Sequence, residues 1–115
     1  MTYSLHSGPL KRRAFFHLGT LFRVMEWFSN DDFWREFYGY MFSAERFSAA
    51  PQEVDGVLRL AQCSSGAVLD LCCGPGRHAV EFARRGFAVT GVDGSSFLLG
   101  RAKEYAQQEG TTVEW

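Results

Sequence analysis

Near the start of the chain, apolar residues recur at helical spacing. Phe15, Leu18, Phe22 and Met25 share one face, which predicts an amphipathic helix over 14–28. A second helix is predicted from a cap at Ser29 or Asn30 through Asp31, Phe33, Trp34, Phe37 and Tyr38. Asp31 and Asp32 suit its positive N-terminus, and Gly39 weakens it beyond that point. A third helix is predicted to start after Pro51, run through Val54, Val57, Leu58 and Leu60, and end before Ser64-Ser65-Gly66. The period then changes. Val68 to Leu71 reads as a short strand and Gly74-Pro75-Gly76 as a turn. Ala79, Val80, Phe82 and Ala83 lie on a helix that Gly86 can end in the left-handed conformation. Phe87 to Val92 is a second strand. Ser95 or Ser96 caps a helix through Leu98, Leu99, Ala102 and Tyr105 that ends at Gly110, and Thr111 to Trp115 begins a third strand. Strands alternating with helices of this length imply an α/β class with right-handed crossovers and a parallel sheet.

Composition divides the chain at about the same place. Thirteen of its eighteen aromatic residues precede residue 50. So many rings on short helices need a large apolar partner. Residues 1–65 are therefore expected to form an aromatic-rich helical cap on an α/β segment over 66–115. No internal repeat or low-complexity tract is visible.

With 115 residues, 46% of them hydrophobic, the chain is in the size range of one globular domain. A net charge of -1 gives no electrostatic footing for nucleic acid or an anionic membrane, so a small substrate or a neutral protein surface is expected. Cys63, Cys72 and Cys73 are odd in number, two are adjacent, and none has metal-ligand spacing; they read as small buried residues in a reducing cytoplasm. Lys11-Arg12-Arg13 before an apolar stretch resembles a signal peptide, but His17, Arg23 and Glu26 interrupt it and no small-x-small cleavage site follows. The stretch is too short and polar to span a bilayer, and stable membrane association is not expected. His6 and His17 show no partner spacing, and no metal site is expected.

The chemistry gathers in Val68-Leu69-Asp70-Leu71-Cys72-Cys73-Gly74-Pro75-Gly76. A glycine turn between a strand and a helix lets a ligand lie against bare backbone at a helix N-terminus. Gly74 and Gly76 with Ala79 also satisfy the dinucleotide pattern, so the glycines do not identify the ligand. Asp93 ends the second strand about twenty residues on, where a carboxylate can accept both ribose hydroxyls and would repel a 2′-phosphate. Gly94 and Ser95 complete that turn. Asp70 separates the remaining cofactors. Against a pyrophosphate it would repel by about 4 kcal/mol at ~4 Å and an effective dielectric of ~20. It would attract the ammonium and sulfonium of S-adenosylmethionine. Pro75 adds to this, since it lacks the N–H that a phosphate cradle uses.

Val68 to Gly76 resembles the first motif of class I, Rossmann-like methyltransferases, and Val89-Thr90-Gly91-Val92-Asp93 resembles the second. Residues 27–110 as a whole resemble the bacterial small-molecule type, including its Trp-rich helix. The resemblance implies the N-terminal part of a doubly wound sheet, with S-adenosylmethionine held by Asp70, Cys72, Gly74, Pro75, Gly76, Asp93, Gly94 and Ser95. Cys72 stands where the family's first motif glycine often is. The resemblance also implies seven strands, an adenine-binding residue after the third and substrate residues after the fourth. The chain is therefore expected to be a fragment, inactive alone, with a small-molecule acceptor and no nameable catalytic residue. The competing readings are an NAD-dependent oxidoreductase fragment and a non-catalytic half-fold that binds a nucleoside or a partner. Arg77 and His78 could face the ligand but read first as exposed polar positions after a turn; Tyr38 and Tyr40 could close over the cofactor but read first as core; Arg84, Arg85, Arg101 and Lys103 read as solvated helix faces.

Overall fold

The computed structural model describes residues 27–115. The helix predicted over 14–28 lies outside them except for Trp27 and Phe28, and His6 and His17 lie outside altogether. Trp27–Ser29 forms a single 3-10 turn. Asn30 then caps α1 (Asp31–Met41), its Oδ1 accepting from Asp32 N at 3.0 Å and Phe33 N at 3.4 Å. That satisfies two of the free N–H groups of a helix start. The helix continues through Gly39 to Met41, so this glycine does not end it.

Helix α2 spans Ala44–Ala61, starting seven residues before Pro51 rather than at it. A proline inside a helix removes one N–H and crowds the carbonyl four residues earlier. Tertiary contacts carry the helix past this fault. Ala50 and Val54 are buried beside Pro51. The Arg46 carbonyl accepts from Arg77 at 3.0 Å and the Pro51 carbonyl from Arg85 at 2.9 Å. Arg85 also binds Asp55 at 2.7 Å and Glu81, so it is a cross-link between helices rather than a solvated cation. Gln62, in the left-handed region at φ 51°, closes α2.

The second part alternates as the hydrophobic pattern predicts: β1 (Ala67–Leu71), α3 (Arg77–Arg84), β2 (Ala88–Val92) and α4 (Ser96–Gln108). β1 and β2 are parallel, with Ala67 opposite Ala88 and Leu71 opposite Val92. Glu114 bridges to Thr90 in parallel on the other side of β2, which begins a third strand there. Val54, Ala79, Phe82, Phe87 and Val89 form the core, joined by Val68, Val113 and Trp115. The opposite sheet face is bare: Leu69 is 61% and Leu71 66% exposed. This is the N-terminal part of a Rossmann-like α/β fold with a helical segment packed on it. Of the cysteines, only Cys73 is buried; Cys63 and Cys72 are exposed, contrary to the sequence expectation. Burial pushes the Cys73 thiol up to about 12, so it packs as a neutral group.

Candidate functional site

At the C-terminal ends of β1 and β2 the chain forms a cleft of about 440 Å³. That is within the range of roughly 300–1,000 Å³ typical of small-molecule sites. Six of the eight residues selected from the sequence line it: Asp70, Cys72, Gly74, Pro75, Asp93 and Gly94.

The floor follows from how the chain leaves β1. Cys72 turns at φ 57°, left-handed for a non-glycine residue. A side chain in that conformation costs about 1–2 kcal/mol, which explains why glycine suits this position. Cys73 N then donates to Val92 O at 3.0 Å, tying the turn to the end of β2, and Gly76 N donates to Cys73 O at 3.0 Å. Gly74 has φ 55°, and a Cβ there would reach within 3.4 Å of the Phe42 ring. Pro75 is fully buried under the turn.

Asp93 joins the two motifs. Its Oδ2 accepts from Gly74 N at 2.8 Å, and its Oδ1 accepts from Ser95 N at 2.9 Å. An ionised carboxylate offers about four acceptor positions, so each oxygen keeps one for a ligand hydroxyl. Asp70 is different. Its Oδ2 is buried and finds no hydrogen-bond partner among the described residues. Burial raises its pKa, against the opposing charges of His78 and Arg77. A buried carboxylate oxygen without a partner is costly, and a cationic ligand group would relieve it.

Gly76 and Ser95 lie outside the cleft lining. Gly76 has φ 79°, and a Cβ there would meet Trp115 at 2.9 Å and Ala102 at 3.0 Å, so its smallness serves packing. Ser95 is buried and caps α4, its Oγ accepting from Leu98 N at 3.1 Å.

Several lining residues were missed or misread in the sequence. Arg77 and His78 line the cleft and both reach Glu53 on α2, at 2.5 Å and 2.6 Å. These bonds, that from His78 foremost, hold the Glu53 carboxyl below its usual value. The opposite wall is aromatic: Trp27, Phe28, Trp34 and Phe42. Their concentration before residue 50 signalled a packing need, but nothing in their spacing showed which rings face a cleft. Tyr38 packs on Phe42 and Phe97 away from the lining, while Tyr40 is 85% exposed and belongs to no core.

Comparison with known proteins bears on the same stretch of the chain. Residues 68–115 match the family model described as a methyltransferase domain. An uncharacterized methyltransferase of Synechocystis is 46% identical over 59 residues, covering 51% of this chain and 26% of that protein. A 23S rRNA (uracil-C5)-methyltransferase of Azoarcus is 43% identical over 54 residues, covering 46% of this chain and 12% of its own length. A solved structure of a Pyrococcus horikoshii protein superposes with a TM-score of 0.58 at 25% identity, covering 74% of this chain and 38% of that one. The chain thus spans about a quarter or less of the curated relatives it matches.

Proposed function

We propose that this protein, which carries the N-terminal part of a class I, Rossmann-like methyltransferase domain over residues 68–115, binds S-adenosylmethionine in the cleft between Asp70 and Asp93. The observation that carries the reading is the unpartnered buried Oδ2 of Asp70 beside the glycine turn. That oxygen fits an ammonium group and repels a pyrophosphate, which weighs against the NAD reading. Asp93, with one free acceptor position on each oxygen, suits a ribose diol. Gly74, at φ 55°, lets the turn take a left-handed conformation that a side chain would strain.

When bound, this cofactor supplies a sulfonium methyl for in-line attack by an acceptor nucleophile. The chain's own contribution is approach geometry and exclusion of water, between the glycine turn on one side and aromatic rings on the other. The acceptor we favour is a small molecule. A net charge of -1 offers no electrostatic footing for RNA, whatever the Azoarcus relative modifies. Three free cysteines suit a reducing compartment such as the cytoplasm. No helix among the described residues is long and apolar enough to cross a membrane.

Equilibrium dialysis against labelled S-adenosylmethionine, with excess NAD as competitor, tests the assignment. Retention that NAD cannot displace is the expected result. Displacement by NAD would turn the reading to a dehydrogenase, and no retention of either would remove the proposed site from this chain.

A further inference from the structure

The cleft has two unlike walls. The turn side carries two carboxylates, Asp70 and Asp93, while the side supplied by residues 27–42 presents only rings. Trp27 and Phe28 remain 49% and 52% exposed at its edge, unusual for residues of this size. Trp27 packs edge-on or tilted against Phe28, Phe33 and Trp34, with centroids 5.0 to 6.0 Å apart, so the wall is a built cluster rather than loose side chains. Its one indole donor with an assigned bond is occupied: Trp34 Nε1 donates to Phe28 O at 2.6 Å. Among the described residues, the basic side chains that line the cleft, Arg77 and His78, are both held by Glu53. An anionic acceptor would therefore meet two carboxylates and no unpaired cation.

From this we infer that the aromatic wall takes the methyl acceptor, and that the acceptor is a flat, uncharged aromatic small molecule. The inference rests on the methyltransferase reading above and adds a substrate class to it. Stacking against Trp27 and Phe28 requires a flat ring. The unpaired carboxylate oxygen and the absence of an available cation among the described residues penalise negative charge, while ring faces with only the Trp27 indole N–H as a spare donor give a saturated polyol little to bind. Wall and turn belong to one cleft, so the acceptor lies beside whatever the turn holds.

The test uses the protein saturated with S-adenosylhomocysteine, whose binding is first measured by calorimetry. Tryptophan fluorescence then follows titration with 2-naphthol, with 2-naphthoate as the charged analogue and decahydro-2-naphthol as the saturated one. Saturable binding of 2-naphthol is expected, with both analogues weaker by about tenfold or more. Trp27→Leu and Phe28→Leu, at half-exposed positions, are expected to weaken 2-naphthol several-fold and leave S-adenosylhomocysteine affinity unchanged. Tighter binding of 2-naphthoate, or displacement of 2-naphthol by an RNA oligonucleotide, would overturn the inference. Competition between 2-naphthol and S-adenosylhomocysteine would also overturn it, by giving the wall to the cofactor. Loss of S-adenosylhomocysteine binding in the calorimeter is a separate signal, which sinks the underlying reading and this inference with it.

Discussion

Asp31, the first residue of α1, accepts a hydrogen bond from the Oγ of Ser95, the N-cap of α4, at 2.6 Å across 64 positions of sequence. The same carboxylate also accepts from Ser96 Oγ and, at 3.2 Å, from Phe97 N. It thereby adds a second acceptor to the start of α4, where negative charge is favourable. It also fastens the aromatic segment to the helix that follows Asp93. Two cation–π contacts support the same joint, Arg35 over Phe97 and Arg101 over Tyr38.

Asp31→Ala is therefore expected to lower the thermal midpoint by several degrees at neutral pH. The bonds from Ser95 foremost, then Ser96 and Phe97, hold the Asp31 pKa below its ordinary value. A depressed folded pKa means the contribution is full above the unfolded value of about 3.9, and is lost as pH falls through the lower folded one. Melting curves of the two proteins should differ at neutral pH and converge in acid. A gap that persists at low pH would mean that packing, not charge, carries the joint.

Asp70 has the opposite sign. Burial raises its pKa, so the folded state favours the protonated form, and the stability this gives is lost as pH rises through the folded value. Asp70→Asn, neutral at every pH, should match the parent in acid and exceed its midpoint at neutral pH. The same variant should lose affinity for an ammonium-bearing ligand, which calorimetry with S-adenosylmethionine would show. Equal stability at all pH values would deny that the carboxylate is strained without a ligand.

Asp93→Ala removes two bonds at once, to Gly74 N and to Ser95 N. Hydrogen bonds to a charged group contribute roughly 1.5–3 kcal/mol each, so cofactor affinity should fall by at least about tenfold. Asp93→Asn keeps an acceptor oxygen for the turn but replaces the other by a donor. It should retain the fold better than the alanine variant while binding nearly as poorly. Unchanged affinity in both would remove the ribose role.

Most of this architecture was legible in the chain because local signals agreed. Asn30, Ser95 and Gly86 punctuate helices where the pattern predicts, and the strands fall within a residue of their apolar runs. α2 was misplaced because Pro51 is a local start signal that tertiary contacts override: Arg77, Arg85 and the core residues that bury Val54 act from far along the sequence. Asp70, Gly74 and Asp93 were legible because a strand end and a tight turn bring them together by chain geometry alone. The aromatic wall and Glu53 were not, since their place in the cleft depends on how α1 and α2 dock.

Cys72 is a local fault of another kind. At φ 57° it holds a left-handed conformation that glycine adopts without penalty. Cys72→Gly removes about 1–2 kcal/mol of strain and gives back part of it as unfolded-chain entropy. A net gain of roughly 0.5–1 kcal/mol in urea denaturation is expected. Cys72→Val, branched at Cβ, should instead destabilise the fold. A loss in the glycine variant would mean that the exposed thiol makes a contact worth more than the strain.

Gly91 supports the cleft from beneath. Its backbone is not left-handed, so conformational freedom is not what the position requires. A Cβ there would lie 2.5 Å and 2.6 Å from Trp115 ring carbons and 3.2 Å from Cys73 Sγ. The indole thus packs flat on the sheet where β2 meets the third strand, held by Gly91 N donating to Glu114 O at 2.7 Å. Gly91→Ala would force the ring outward and should cost about 1–3 kcal/mol, as overpacking in a core does. The smaller side chain of Trp115→Leu should recover part of that loss when the two are combined, although it is destabilising alone. A double-mutant cycle in urea measures the coupling. Additive losses would show that Gly91 serves some purpose other than making room for Trp115.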